Sequence, residues 1–452
     1  MFRKTVLTLV LVMVAILTVS GAALGSGFDA KLDVFLGMSL SGADEDLGAE
    51  VFYYQEHSEE DALPEVDRNG DWLWLEEYGW TTTPIALHPT IGGTPWRLSL
   101  GYTVGNTRFA VSWLGVQGQA SASGSVPGYY EHYDEESDSW EWSCGIVDFW
   151  DMGLDVYYYR GFPGWYEAHA IYDYTGEGYE YEYTSAYDPE AGASKWSASQ
   201  KLGLGSMYVT AEHPIVKGDS IQVNVLGGLH RTTWQEDLDQ HLGVVFHESY
   251  TYTYLYEDTS HEYNDTYHND VSIDTSSSVS YQGIGPAVGF TGNWEITNRF
   301  GISLSAIGSY LAGTATFRGR GTDVDAMSDT YTESENGEVT YQDEDHVLLS
   351  GEMNLAETTK AVNAIATQVD LSLKYDVTDS IFVEGGLFYA LWKGLPMAPR
   401  WHYPIYTGGP GGVSAALGRL NGNGVMSDDQ WTLDHTSDVS LSGWKLGIGL
   451  RF

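Results

Sequence analysis

The chain has 452 residues and carries 63 Asp plus Glu against 21 Lys plus Arg, a formal net charge of −42. That balance excludes nucleic acid as a partner, since neutralising phosphates takes basic residues, and it opposes packing on anionic headgroups without divalent cations between. Cys144 is the only cysteine, so no internal disulfide forms and the fold must rest on burial and hydrogen bonding.

Residues 1–25 read as a signal peptide: Arg3 and Lys4, then the apolar run Val6–Val19, then the small-residue stretch SGAALGS, with cleavage expected after Ala23 or Gly25. The apolar run is short for a membrane span, and no later apolar stretch reaches the length a spanning helix needs. Residues 26–452 are expected to form one domain. Leu32–Leu40 is the first predicted strand. The segment TPWRLSLGYTVGNTRFAVSWLGVQG follows as a hairpin: Trp96, Leu98, Leu100, Tyr102 and Val104 share one face, Arg97, Ser99, Gly101 and Thr103 the other, and Gly105-Asn106 supplies the turn. A doubtful pair, Gly153–Tyr183, alternates poorly. The next hairpin places Leu202, Leu204 and Tyr208 on the apolar face, turns at Lys217-Gly218-Asp219 and returns through Ile221, Val223 and Val225. A third turns near Thr297-Asn298 between Ile284, Val288, Phe290 and Phe300, Ile302, Leu304. The fourth turns at Thr378-Asp379-Ser380 between Val369, Leu371, Leu373, Tyr375 and Ile381, Val383, Leu387, Tyr389.

The last stretch, SGWKLGIGLRF, puts Trp444, Leu446, Ile448, Leu450 and Phe452 on one side of a strand and Lys445, Gly447, Gly449 and Arg451 on the other. Residues 232–280 and 321–359 contain no Lys or Arg and are read as long acidic loops opposite the short turns. Short turns at one end and long loops at the other, joined by strands with one apolar face, describe a transmembrane antiparallel up-and-down β-barrel. Hydrocarbon offers no partner to an open sheet edge, so the sheet must close. The clear strands number about ten, and the doubtful pair raises the expectation to about 12 within a range of roughly 10–14. The five apolar residues ending at Phe452 look like the C-terminal signal read by the β-barrel assembly machinery of Gram-negative bacteria. The location expected is the bacterial outer membrane, with lipid and lipopolysaccharide as surroundings.

The segments GIGPAVGFTGNWEITNRFGISLSAIGSYLAG, VDLSLKYDVTDSIFVEGGLFYALW and LSGWKLGIGLRF, with WRLSLGYTVGNTRFAVSW and IQVNVLGGLHR, together resemble the Legionella-type major outer-membrane protein family of pore-forming barrels. That resemblance implies a porin-like function, solute diffusion through the lumen and no catalytic residues.

Strand parity assigns Arg97, Lys374, Glu384, Lys445 and Arg451 to the lumen as pore-lining residues. Carboxylates crowd the outer mouth, so a mild cation preference is expected. No enzyme is expected: the nearest approach to a nucleophile elbow, GMSLS at Gly37–Ser41, lacks its final glycine and lies in a predicted strand. No metal site or cofactor is expected either. Asp67, Asn69 and Asp71 read as a turn, and His247, His261 and His268 lack ligand spacing, although the acidic loops leave room for weak divalent-cation binding. Two rivals fit the same residues. One is a surface adhesin or structural barrel with a closed lumen, the other a soluble secreted β-sandwich.

Overall fold

The computed structural model describes residues 27–43, 45–59, 78–126, 130–134, 139–149, 169–174, 179–184, 194–256, 259–401 and 431–452. The predicted signal peptide and the stretch holding Asp67, Asn69 and Asp71 lie outside them.

Ten strands form one ring. They are β1 (Phe28–Ser41), β2 (Trp96–Val104), β3 (Thr107–Val126), β4 (Ser194–Lys217), β5 (Ile221–Tyr256), β6 (Thr259–Glu295), β7 (Phe300–Glu335), β8 (Glu338–Asp376), β9 (Ile381–Pro396) and β10 (Thr436–Arg451). Each pairs antiparallel with its neighbours in sequence, and β1 pairs with β10 (Leu32 opposite Ile448), so the meander closes with no free edge. The two ends of the barrel chain meet: the Phe452 N–H donates to the Phe28 carbonyl at 2.9 Å.

The short turns cluster at that end. Gly105 has a φ of +59°, as the two-residue turn between β2 and β3 requires. The turns after β6 and β8 share one device: Thr297 Oγ1 accepts from the Phe300 N–H and Thr378 Oγ1 from the Ile381 N–H, each at 3.0 Å. At the far end the strands continue well past a bilayer. β5, β6, β7 and β8 run 36, 37, 36 and 39 residues, and the β5–β6 ladder is unbroken from Ile221 opposite Trp294 to Tyr256 opposite Thr259. The acidic segments expected as loops are therefore β-arms, with Asn336-Gly337, both at positive φ, turning one of them. Continuous cross-strand pairing satisfies the backbone more fully than a long loop does.

Outward-facing residues form the lipid belt. Trp113, Val288 and Trp444 are 55%, 68% and 63% exposed. From Ile284 to Trp294, on a strand tilted by roughly 40°, the apolar face covers about 25 Å along the membrane normal.

Two expectations are corrected. The strand number is ten, the lower end of the range, because the doubtful pair does not enter the wall. His169–Tyr174 and Tyr179–Thr184 pair with each other and, through Tyr181–Thr184, with Thr251–Tyr254 on the β5 arm, beyond the belt; residues 151–168 lie outside the described set. Leu202, Leu204 and Tyr208 point into the lumen and are buried. Pairing of Met207 with Trp113 and of Val209 with Val111 sets that parity, and Gly203 and Gly205, having no side chains, conceal it in the sequence.

The belt gives a direct test. Val288→Arg, at mid-belt, is expected to cost roughly 2–4 kcal/mol, whereas Ser276→Arg on the β6 arm stays within about 0.5 kcal/mol of wild type. Urea unfolding from lipid vesicles measures both, and equal effects would mean that the belt does not face lipid.

Candidate functional site: a lumen occupied at two levels

The inward residues of β1, taken upward from the turn end, mark successive layers of the lumen. Asp29 comes first. Its carboxylate receives Arg108 Nε at 2.9 Å and Nη2 at 2.6 Å, while Arg108 Nη1 donates to Glu212 at 2.8 Å. Lys31 follows, with Nζ 2.9 Å from Glu384 Oε2 and 3.4 Å from Asp33.

Asp33 belongs to the central layer and is fully buried. The Arg97 guanidinium is shared between two carboxylates. It donates through Nε and Nη2 to Asp33 Oδ2 at 2.9 and 2.7 Å, and through Nη1 and Nη2 to Asp370 at 2.9 and 2.8 Å. Lys445 Nζ, 2% exposed as a side chain, donates to Asp370 Oδ1 at 2.7 Å. Two cations against two carboxylates leave the layer neutral, which is what makes charge tolerable in a desolvated lumen. Phe35 and Phe388 cap it from above, with the guanidinium carbon 5.7 and 5.4 Å from their ring centres. The glycines of the last strand are part of this packing: a Cβ on Gly447 would collide with the Asp33 carboxylate and one on Gly449 with the Phe382 ring.

Above Phe35 a buried apolar cluster fills much of the lumen, with Gln200, His230, Thr232 and Glu236 buried beside it. Leu114, Leu202, Leu204, Trp234, Phe317 and Trp392 belong to one buried cluster. Leu395 and Met397 join it from the end of β9, where Leu395 and Pro396 still pair with Ser437 and Thr436 of β10. The β9–β10 ladder shifts register between Trp392 and Leu395, around Gly394 at φ +78°. Trp234 Nε1 donates to the Pro396 carbonyl at 2.9 Å, the Ala398 N–H to Glu236 Oε2 at 2.8 Å, and the Met397 N–H to the His435 carbonyl at 3.0 Å. His230 lies nearby, its ring within 2.6–3.0 Å of Ser309, Ser206 and Thr232 hydroxyls and stacked on Tyr208.

Beneath the central layer is a 550 Å³ vestibule on the turn side. All five residues predicted to line the lumen border it. Arg97 and Lys445 form its roof and Glu384 is tied to Lys31. Lys374 lies 3.4 Å and Arg451 3.3 Å from Asp376, both cations against the Phe382 ring. Its charged lining is six carboxylates (Asp29, Glu212, Glu295, Asp370, Asp376, Glu384) and six cations (Lys31, Arg97, Arg108, Lys374, Lys445, Arg451). Asp33 and Asp370 escaped the sequence reading, although they obey the same parity rule inside LDVFL and VDLSL. The inward segment at Leu395–Ala398 had no such signal. The GMSLS stretch lies in wall strand β1. On the arms, His247 stands opposite His268 in the ladder, and His261 opposite Tyr254. The arms sustain a negative field: the Tyr341 phenol is raised above its ordinary value, first by the charge of Asp343 and by its hydrogen bond to that carboxylate.

Residues 228–378 match the family model of the Legionella pneumophila major outer membrane protein precursor, about a third of the chain. The matched stretch contains GIGPAVGF…SYLAG and VDLSLKYDV, and the resemblance read from the sequence holds there. No curated protein matches. Among solved structures, the Escherichia coli outer membrane protease OmpT is 8% identical, covering 95% of this chain and 99% of its own, with a TM-score of 0.32. The Pseudomonas putida toluene transporter TodX is 7% identical, covering 95% and 90%, with a TM-score of 0.22. A Pseudomonas aeruginosa FadL homologue is 8% identical, covering 94% and 90%, at 0.19. At such scores none of them bears on what this chain does. The protein is a β-barrel of the bacterial outer membrane.

Removing Arg97 takes away the cation that Asp33 and Asp370 share, leaving Asp370 to Lys445 and Asp33 to Lys31 at 3.4 Å. Arg97→Ala is expected to destabilise the barrel by roughly 3–5 kcal/mol. In a double-mutant cycle with Asp370→Asn the two losses should fall short of additivity by about 0.5–3 kcal/mol. Denaturant unfolding followed by tryptophan fluorescence measures both.

Proposed function

We propose that the protein is a porin-like outer-membrane channel for passive movement of small solutes, described here in a shut state. One observation carries the reading: a charged 550 Å³ vestibule occupies the turn end of the lumen, and the outer occlusion above it includes the segment Leu395–Ala398 at the end of β9, just past the register shift between Trp392 and Leu395. The charged vestibule then forms the inner half of the path. Its cations and carboxylates cancel, so selectivity falls to the Lys- and Arg-free arm segments at the outer mouth, which favour cations.

A second reading is a closed-lumen barrel that displays its acidic arms at the cell surface. It is favoured by the central layer, whose Asp33, Arg97, Asp370 and Lys445 all sit on wall strands and fill the lumen below the outer occlusion.

Planar-bilayer recording separates the two. Trp234→Phe with Glu236→Ala removes two bonds holding the segment and is expected to raise the open fraction roughly tenfold or more over a mostly silent wild type. Silence in that variant and in Arg97→Ala would leave the closed-barrel reading. For open channels, the reversal potential in a salt gradient is expected to show cation preference that fades at high salt, and anion selectivity would refute that part.

A further inference from the structure

Basic residues are scarce in this chain, yet several stand together on the outward face just above the lipid belt. The topmost apolar rung across β3, β4, β5 and β6 reads Trp113, Met207, Arg231, Ile284. The two rungs above it are Gly115, Gly205, Thr233, Gln282 and then Gln117, Gly203, Gln235, Ser280. Lys201 stands on the next, opposite Asp237.

Three glycines side by side leave the wall hollow. The result is a 640 Å³ groove with Trp96 and Trp113 on its membrane side and the amides of Gln117, Gln235 and Gln282 along it. Arg231 reaches its rim, donating from Nη2 to Gln282 Oε1 at 3.2 Å. Arg231 and Lys201 are exposed and form no ion pair among the described residues; Arg318, on the same face, is neutralised by Glu357 at 2.8 Å. An apolar lower rim and an amide-lined middle match an acyl chain and a sugar, and the two cations that flank the groove, Arg231 on its lower rung and Lys201 one rung above it, match phosphates. The groove is continuous with the surface that already meets outer-leaflet lipid.

We propose that this groove binds the phosphorylated glycolipid headgroup of the outer leaflet, with Arg231 and Lys201 holding phosphate and the glutamine amides holding sugar hydroxyls. The site rests on the barrel's place in the outer membrane and is independent of the channel reading. It also locates where an acidic protein meets an anionic lipid without a bridging cation.

The test titrates purified diphosphorylated lipid A into the full-length barrel, folded in neutral detergent with EDTA present. Tight binding, with the phosphate-free glycolipid binding about tenfold or more weaker, is expected. Arg231→Ala with Lys201→Ala is expected to lower affinity by a similar factor. So is Gly203→Leu, which fills the groove where a Cβ makes only ordinary contact, 3.9 Å from the nearest atom. Arg318→Ala should leave binding unchanged. Heat-modifiable electrophoretic mobility confirms that each variant is folded. Equal binding of both glycolipids, insensitivity to the groove variants, an equal loss with Arg318→Ala, or binding that appears only when magnesium is restored would each overturn the site.

Discussion

Every backbone N–H and C=O that enters hydrocarbon must find its partner inside the protein, and this single requirement organises the molecule. The sheet satisfies it by joining its first strand to its last, so that β1 and β10 complete a ring of ten. Once the ring is closed, each side chain has two possible destinations. Outward means acyl chains, and the alternating Trp, Leu, Ile and Val residues go there. Inward means a cylinder of ten strands, slightly wider than one that eight strands fill with side chains alone.

The contents of the lumen follow from that width. Near the turn end they are polar and charged, and midway the charges become buried, so they are matched: Arg97 and Lys445 against Asp33 and Asp370, under two phenylalanine rings. A layer of this kind is more important for specifying one packing than for net stability, since its Coulomb gain is offset by desolvation. Farther out, the end of β9 past Gly394, still paired with β10 through Leu395 and Pro396, adds Leu395 and Met397 to the apolar cluster. The wall-borne charge layer sits below it.

Beyond the belt the strands are free of the lipid constraint, and their composition changes on both faces. Ser, Thr, Asn, Asp and Glu occupy positions that carried Leu and Val lower down the same strands, while the pairing register runs on without a break through β5 and β6. The few cations are not spread evenly over this acidic chain. Six border the vestibule, where they meet six carboxylates, and Arg231 and Lys201 mark the outer edge of the belt. Each of the six vestibule cations lies within 3.4 Å of a carboxylate.

Much of this was legible in the residues alone. Period-two alternation with two- to four-residue turns determined the hairpins, the lipid face and the inward placement of Arg97, Lys374, Glu384, Lys445 and Arg451, because side-chain direction on a strand is a local property. Strand number, by contrast, depends on which segments pair with which, and Tyr179–Thr184 joined an arm instead of the wall for reasons no local pattern carries. The parity of Leu202, Leu204 and Tyr208 was decided by register against β3 and β5, because Gly203 and Gly205 on the outward face of β4 removed the cue. Only the closed ring brings Asp33, Arg97, Asp370 and Lys445, far apart in the chain, to one point, and only there does the loss of water make their pairing obligatory.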